Sequence, residues 1–331
     1  MPESILIIRL SSLGDIILTF PLIQELRKKY PDARIDFVSK KEYTGILNLI
    51  PWLSTTYSLD TMKGAVAIAD LQRILEANTY DHVLDLHNNF RSRKLCRVLR
   101  GKLHVINKRS FKRWLLVKTK VNWLRDEPDI IGRYFETAKG LGITDAGTAP
   151  SFGIEFHTSE QKKAALCPGA RHWNKRWLPE YYLATAKDLI ERGYHIEFFG
   201  SEDEREYCNS IATQLPADRI ENLCGKISLA ELPQRIAECS VAVTNDSGLL
   251  HIAAAVGLPT VAIFGPTVRE LGFMPRNKNV SIIENMNLDC RPCTTIGLDN
   301  CPKGHFKCMK DLTPEMISIR ITDSLSANPR L

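Results

Sequence analysis

The chain has 331 residues, 44% of them hydrophobic and 25% charged, with 44 Lys and Arg against 38 Asp and Glu. That length exceeds one ordinary core and suits two domains, and the composition is that of a soluble globular protein. No apolar run approaches the roughly 18 residues a membrane span needs, residues 5–10 are too short for the core of a signal peptide, and nine cysteines, an odd number, argue for thiols or metal ligands over a disulfide framework, so a cytoplasmic protein is expected.

In chain order, apolar runs at 5–9, 33–38, 55–59 and 82–86 predict strands, and helical patterns at 16–30, 43–49 and 69–78 separate them. Strands alternating with helices indicate a parallel α/β sheet. The first strand-to-helix turn carries Ser11, Ser12, Gly14 and Asp15. There Asp15 is either a carboxylate that complements a helix dipole or a base that accepts a proton from a hydroxyl.

Between Leu86 and Arg125 stands no Asp or Glu, while thirteen Lys and Arg do, among them Arg91, Arg93, Lys94, Lys112 and Arg113. Without them the rest of the chain is net negative. A stretch so one-sided implies an acidic partner such as phosphates, carboxylates or an anionic membrane surface. Trp114, Leu115, Leu116, Val117 and Trp123 lie within it, and apolar groups among cations suit either a lipid interface or a core. A helix near 130–141 follows, and residues 142–158, rich in Gly, Thr, Ala and Pro, read as the connection between a domain of residues 1–155 and one of 156–331.

The second half repeats the alternation, with strands at 164–167, 195–199, 220–223, 241–244 and 260–264, helices near 179–192, 204–215 and 229–239, and a last helix opened by Pro314 and running to about 325. Its first turn, Pro168 to Trp177, holds Gly169, Arg171, His172, Lys175 and Arg176, cations that suit a diphosphate. Glu204, after the second strand, stands where an acid commonly binds a ribose, though acids are also favoured in a first helical turn. Asn245, Asp246, Ser247 and Gly248 end a strand, with His251 one helical turn on; a plain cap explains the turn, and an anion or sugar site explains it together with the histidine. Cys290, Cys293, Cys301 and Cys308, with His305 among them, have a spacing that admits structural zinc, although the second pair is not a close chelating pair; reduced thiols packed in a loop fit as well.

Taken together, Ser11-Ser12-Leu13-Gly14-Asp15 continuing to Pro21, Pro168-Gly169-Ala170 with Lys175-Arg176-Trp177, Asn245-Asp246-Ser247-Gly248 with His251, and Phe264-Gly265-Pro266-Thr267 resemble glycosyltransferase family 9, the bacterial ADP-heptose:lipopolysaccharide heptosyltransferases. The cysteine segment from Cys290 to Met309 is similar to the tail of their heptosyltransferase II branch. The resemblance implies a GT-B fold, two facing doubly wound Rossmann-like domains with a cleft between them. It also implies an acceptor held by the first domain, a nucleotide sugar held by the second, and inverting transfer of heptose to the inner core of lipid A without a catalytic metal.

On that carry-over Asp15 matches the general base and Lys175 the residue that stabilises the leaving diphosphate. Glu204 falls where the ribose binds, Ile227 within the segment that lies against adenine, and Asp246, Ser247, Gly248 and His251 in the donor-sugar and phosphate loop, with Gly169, Arg171 and Arg176 beside it. The usual pattern has Thr where Ser247 stands, so a hydroxyl is kept. Ser12, Gly14 and the cations Arg91, Arg93, Lys94, Lys112 and Arg113 are then expected to meet the acceptor's carboxylates and phosphates at the inner face of the cytoplasmic membrane. Transfer of another nucleotide sugar to a glycolipid, and a nucleotide-sugar 2-epimerase on the same fold, stay open. A nucleic-acid binder would need aromatic residues at regular stacking intervals, and between Leu86 and Arg125 only Phe90, Phe111, Trp114 and Trp123 occur.

Overall fold

The computed structural model describes residues 2–327; residues 1 and 328–331, which open and close the expected domain ranges, lie outside them. The chain forms two compact units. One holds the chain up to Ser110 together with Pro128–Ile154, and the other holds Phe111–Glu127 and the chain from Glu155 on.

In the first unit, strands β1 (Ser4–Ile8), β2 (Arg34–Lys40), β3 (Thr55–Leu59), β4 (His82–Asp85) and β5 (Lys102–Val105) form one parallel sheet in the order β3-β2-β1-β4-β5. Helices α1 (Leu13–Ile17), α2 (Phe20–Lys29), α3 (Thr44–Leu47), α4 (Gly64–Glu76) and α5 (Phe90–Cys96) connect the strands. Every residue of β1 is buried, as expected of a parallel strand covered on both faces. Its Leu6 and Ile8 pack with Val38, Val83, Leu71 and Leu75 into one core cluster.

The helix expected over 16–30 is two helices. Pro21 stands in the first turn of α2 and lacks the N–H that would continue α1, so the chain restarts at Thr19. The basic stretch, in which no element is expected from the apolar pattern, contains α5, β5 and α6 (Ser110–Thr119). Their apolar signal is thin: Leu95 is the only fully buried apolar side chain of α5, and Leu116 the only buried residue of α6. Phe111–Glu127 was counted with the first domain, and the structure packs it into the second, because Leu116 and Leu124 bury against Leu271. Helix α7 (Ile130–Thr137) returns the chain to the first unit.

The second unit carries β6 (Lys163–Cys167), β7 (His195–Phe198), β8 (Ile220–Asn222), β9 (Val241–Asn245), β10 (Thr260–Phe264) and β11 (Val280–Glu284), all parallel, in the order β11-β10-β9-β6-β7-β8. Helices α8 (Pro179–Glu191), α9 (Arg205–Ala212), α10 (Leu232–Ala237), α11 (Gly248–Ala255), α12 (Lys307–Lys310) and α13 (Pro314–Ser326) complete it. Sequence reading passed over β11, an edge strand in which only Ile283 is buried.

Each strand order reverses at one place. In the first sheet the reversal lies between β1 and β4, and in the second between β6 and β9. Loops leaving neighbouring strands in opposite directions open a crevice beyond their carboxyl ends, which is where parallel α/β sheets bind ligands. The residues at those two places are Ser11 to Asp15 with His87 to Asn89, and Pro168 to Lys175 with Asp246 and Ser247.

Candidate active site

In the first unit, Asp15 occupies the third position of α1, and Ser12 is its cap. The Ser12 backbone N–H and Oγ both donate to Asp15 Oδ2, at 3.0 and 2.7 Å. Asp15 Oδ1 lies 2.6 Å from Arg9 Nη2, and Arg9 Nη1 donates to the Leu86 carbonyl at 2.6 Å, which ties β1 to β4. Tyr134 of α7, fully buried, donates to the Asp15 carbonyl at 3.3 Å, and the Arg9 guanidinium lies 5.9 Å from its ring centre. Burial by itself would raise the Asp15 pKa. The Arg9 charge and the Ser12 hydrogen bonds outweigh it and hold the carboxyl below the usual range. Asp15 is therefore an oriented carboxylate with its charge intact.

In the second unit, Lys175 Nζ lies 2.6 Å from Asp246 Oδ2, and Thr267 Oγ1 donates to the same oxygen at 2.7 Å. Asp246 is buried; burial pushes its pKa up, and Lys175, Thr267 and His251 more than reverse the shift, leaving it low. Loops after β6, β9 and β10 thus meet on one carboxylate. Asn245, fully buried, fastens two of them: its Oδ1 accepts from the Trp177 N–H at 3.0 Å and its Nδ2 donates to the Pro168 carbonyl at 2.8 Å. Next to Asp246, Ser247 has the backbone of a cap for α11, yet its side chain makes no cap bond and its Oγ is buried with no partner. With Gly248 as the first helical residue, the first N–H groups of α11, which have no partner within the helix, and an unpaired hydroxyl follow directly on the carboxylate that Lys175 pairs with, a combination suited to an anion. Lys175 offers three N–H donors, of which Asp246 takes one.

The other expected donor residues divide between scaffold and surface. Glu204 Oε2 accepts from the Ser201 N–H at 2.8 Å and caps α9's approach, and its carboxylate lies so close to Gly169 that any side chain there would collide with it. Arg176 is spent on its own loop, donating to the Ala170 carbonyl at 2.8 Å and lying over Tyr207. Arg171 is exposed, Ile227 half-buried, and His251 buried on α11. Trp177 is core, its Nε1 donating to the Leu312 carbonyl, whereas Trp173 stacks on Phe306 near the surface.

Ser12 and Gly14 lie in the Asp15 turn, and Arg91, Arg93 and Lys94 lie on α5 of the same unit. Lys112 and Arg113 do not join them. Lys112 pairs with Glu127, and Arg113 donates to the Thr295 carbonyl at 3.2 Å and covers Phe273, all in the second unit. Among the described residues no group of three or more His, Cys, Asp or Glu is arranged to hold a metal ion. Cys308 is packed into the core beside Phe306 and Met309, Cys293 Sγ lies 3.9 Å from Asn174 Nδ2, and Cys290 Sγ lies 3.8 Å from His305 Nε2. What this loop supplies is Arg291, which donates to the carbonyls of Gly265 at 2.5 Å and Thr267 at 2.7 Å and pairs with Glu284.

Sequence reasoning missed Arg9 and Thr267 as site residues. Arg9 had a signal, since a cation directly after an apolar strand and six residues before Asp15 is placed to meet it. Thr267 had none beyond membership of a quoted motif.

The sequence profile of glycosyltransferase family 9 (heptosyltransferase) matches residues 68–301. The lipopolysaccharide heptosyltransferase 2 of Escherichia coli is 30% identical over 80% of this chain and 83% of its own. The lipooligosaccharide heptosyltransferase 2 of Haemophilus influenzae is 27% identical over 98% and 99%. Among solved structures, the E. coli ADP-heptose lipopolysaccharide heptosyltransferase II superposes with a TM-score of 0.76 at 26% identity, covering 98% of each chain.

The two depressed carboxyls make a pH prediction. Each binds its proton more weakly folded than unfolded, so each contributes stability that is fully present above the unfolded value of about 4 and is lost as pH falls toward the folded one. Denaturant midpoints should therefore be flat near neutrality and fall below about pH 4. Asp246→Asn, less stable at pH 7, should show a shallower acid decline; a decline as steep as the wild type's would mean that Asp246 titrates normally.

Proposed function

The chain belongs to glycosyltransferase family 9, and we propose that it moves a heptose from ADP-heptose to the inner core of lipopolysaccharide, with inversion at the sugar carbon. The observation that carries this reading is the joining of Lys175, Asp246 and Thr267 beside the unpartnered Ser247 Oγ at the start of α11, a place built to take a diphosphate. The relatives' names supply the sugar and the acceptor.

In the proposed reaction the acceptor hydroxyl oxygen forms a bond to the anomeric carbon while the bond from that carbon to the diphosphate breaks. The hydroxyl proton passes to Asp15, and the electron pair leaves with ADP. Asp15 is a weak base, being held ionised by Arg9 and Ser12. It takes the proton late, once bond formation has made the hydroxyl acidic, and its service is position as much as basicity. The donor side must stabilise charge that grows on the diphosphate. Lys175 and the N–H groups of α11 do so without rearrangement, because Asp246, itself held by Thr267, already fixes the lysine. Glu204 and Ile227 are assigned to the nucleoside, and no metal takes part.

We assign the acceptor to the first unit and add peripheral contact with an anionic membrane at the cytoplasmic face. No helix among the described residues is long and apolar enough to cross a membrane. Support for surface contact comes from α6 and the loop after it. Leu116 and Leu124 turn inward, whereas Phe111, Trp114 and Trp123 are 63, 52 and 56% exposed and adjoin one another, with ring centres 6.0 Å apart for Phe111 and Trp114 and 6.3 Å for Phe111 and Trp123. Lys118 and Arg125 are exposed beside them. Exposed aromatic rings among cations are suited to an anionic lipid interface.

Two substitutions separate the roles. Asp15→Asn should keep ADP affinity and lower turnover by roughly 100-fold or more, the scale of a lost general base. Lys175→Ala should remove about 2–4 kcal/mol of transition-state stabilisation, read as kcat/KM. Wild-type turnover in the first variant would reduce Asp15 to a helix cap, and an unchanged kcat/KM in the second would leave the diphosphate without its lysine.

For the membrane, sedimentation with anionic vesicles should weaken several-fold in a Trp114→Ser, Trp123→Ser double variant and weaken further with salt, as screening demands. Equal sedimentation of variant and wild type would remove the aromatic surface from the account.

A further inference from the structure

One buried histidine has no role in the reaction just described. His87 follows β4 at the first sheet's reversal, is 9% exposed, and has a buried Nδ1 with no hydrogen-bond partner. Its backbone is fixed, the His87 and Asn88 N–H groups both donating to Asp85 Oδ1, at 3.0 and 2.7 Å. Burial and the charges of Arg9 and Lys108 push the imidazole pKa down to about 3, so the ring is neutral at physiological pH. A neutral imidazole has one N–H to give and one lone pair to receive with, which matches a sugar hydroxyl. Buried polar atoms in native proteins are as a rule satisfied, and one left open at a ligand-binding end of a sheet points to a ligand atom.

The surroundings say what kind of ligand. The charges that reach the ring are Arg9, Lys108, Lys40 and Asp15, three cations to one carboxylate. The next residue, Asn88, lines a hollow at the ends of β4 and β5, of about 590 Å³, whose lining also includes Arg93, Asn107, Lys108 and Ser110 and no acidic residue. Its wall is held in shape: Asn88, at φ 46°, donates to the Ile106 carbonyl at 3.0 Å and accepts from Arg93 Nε at 2.9 Å.

We propose that His87 and this hollow form a subsite for an anionic sugar unit of the acceptor, with His87 meeting a hydroxyl and Lys108 and Arg93 meeting its carboxylate or phosphate. That the ligand is the acceptor rests on the glycosyltransferase reading above; the subsite rests on the side chains named here.

The test is calorimetric binding of deacylated inner-core oligosaccharide, used intact, methyl-esterified and dephosphorylated, to the full-length wild type and to His87→Gln and Lys108→Gln. Each variant should weaken binding of the intact oligosaccharide by roughly 10-fold, the scale of one lost hydrogen bond to a charged or buried group, and leave ADP affinity unchanged. The chemically blocked form that wild type binds poorly identifies the anionic group, and Lys108→Gln should add nothing to that loss. Should His87→Gln fail to fold, Lys108→Gln carries the same expectation on its own. Wild-type affinity for the intact oligosaccharide in a folded variant, or a wild type that binds none of the three forms, overturns the subsite. A wild type that binds the oligosaccharide through His87 yet transfers no heptose would sink the glycosyltransferase reading and leave the subsite standing.

Discussion

The ion pair between Lys175 and Asp246 is the contact on which the arrangement of the second unit's candidate site depends. A buried carboxylate is costly unless it is paired and hydrogen-bonded, and breaking such a pair by removing one partner is commonly worth several kcal/mol. Asp246 meets that cost with Lys175 from the loop after β6 and Thr267 from the loop after β10. Three loops far apart in sequence are thereby pinned within a hydrogen bond of one another. Asn245 repeats the device one residue earlier by bonding the Trp177 N–H and the Pro168 carbonyl, and Arg291 does so from behind by holding the Gly265 and Thr267 carbonyls. The start of α11 is presented on a frame that has no slack.

The first unit uses the same physics for a different end. Arg9 and Asp15 are also a cation and a carboxylate paired at a sheet's reversal, the arginine buried and the carboxylate partly so, and Arg9 joins β1 to β4 through the Leu86 carbonyl. In the proposed reaction the carboxylate there is the working group and the cation the holder; in the second unit the roles are exchanged. A depressed carboxyl is a poor base in water, so Arg9 trades basicity for a fixed direction, an exchange that suits the late proton transfer proposed for Asp15.

How much of this was legible in the sequence follows from which physical signals are local. The buried parallel strands read as unbroken apolar runs, and the turns that follow them read as Gly, Ser and Asp, so the alternation and the two-sheet class came through. Asp15, Lys175 and Asp246 stood out because polar residues at strand ends are conspicuous. Strand order is not a local property, and without it nothing in the sequence says that the loops after β6 and β9 are neighbours, or that Thr267 completes their cluster. Local patterns misled where charge hid an apolar anchor: Leu116 and Leu124 draw a basic segment into the second unit, and with it Lys112 and Arg113, which sequence position alone had grouped with Arg91, Arg93 and Lys94. The cysteine spacing misled in the opposite way. It admitted a metal as well as packed thiols, and in the structure Cys308 packs into the core with Cys301 against it while the loop delivers Arg291. His87 was invisible because its significance lies in what it lacks, a partner for Nδ1, which only coordinates can show.

The most direct measurement is a calorimetric comparison of ADP with AMP on the wild type and on Lys175→Ala. If the second phosphate sits between Lys175 and the start of α11, ADP binds the wild type at least roughly 10-fold more tightly than AMP, as one charge-assisted contact is worth, and Lys175→Ala erases most of the difference. Equal affinities for ADP and AMP in the wild type, or an ADP preference that survives the loss of Lys175, would contradict the site.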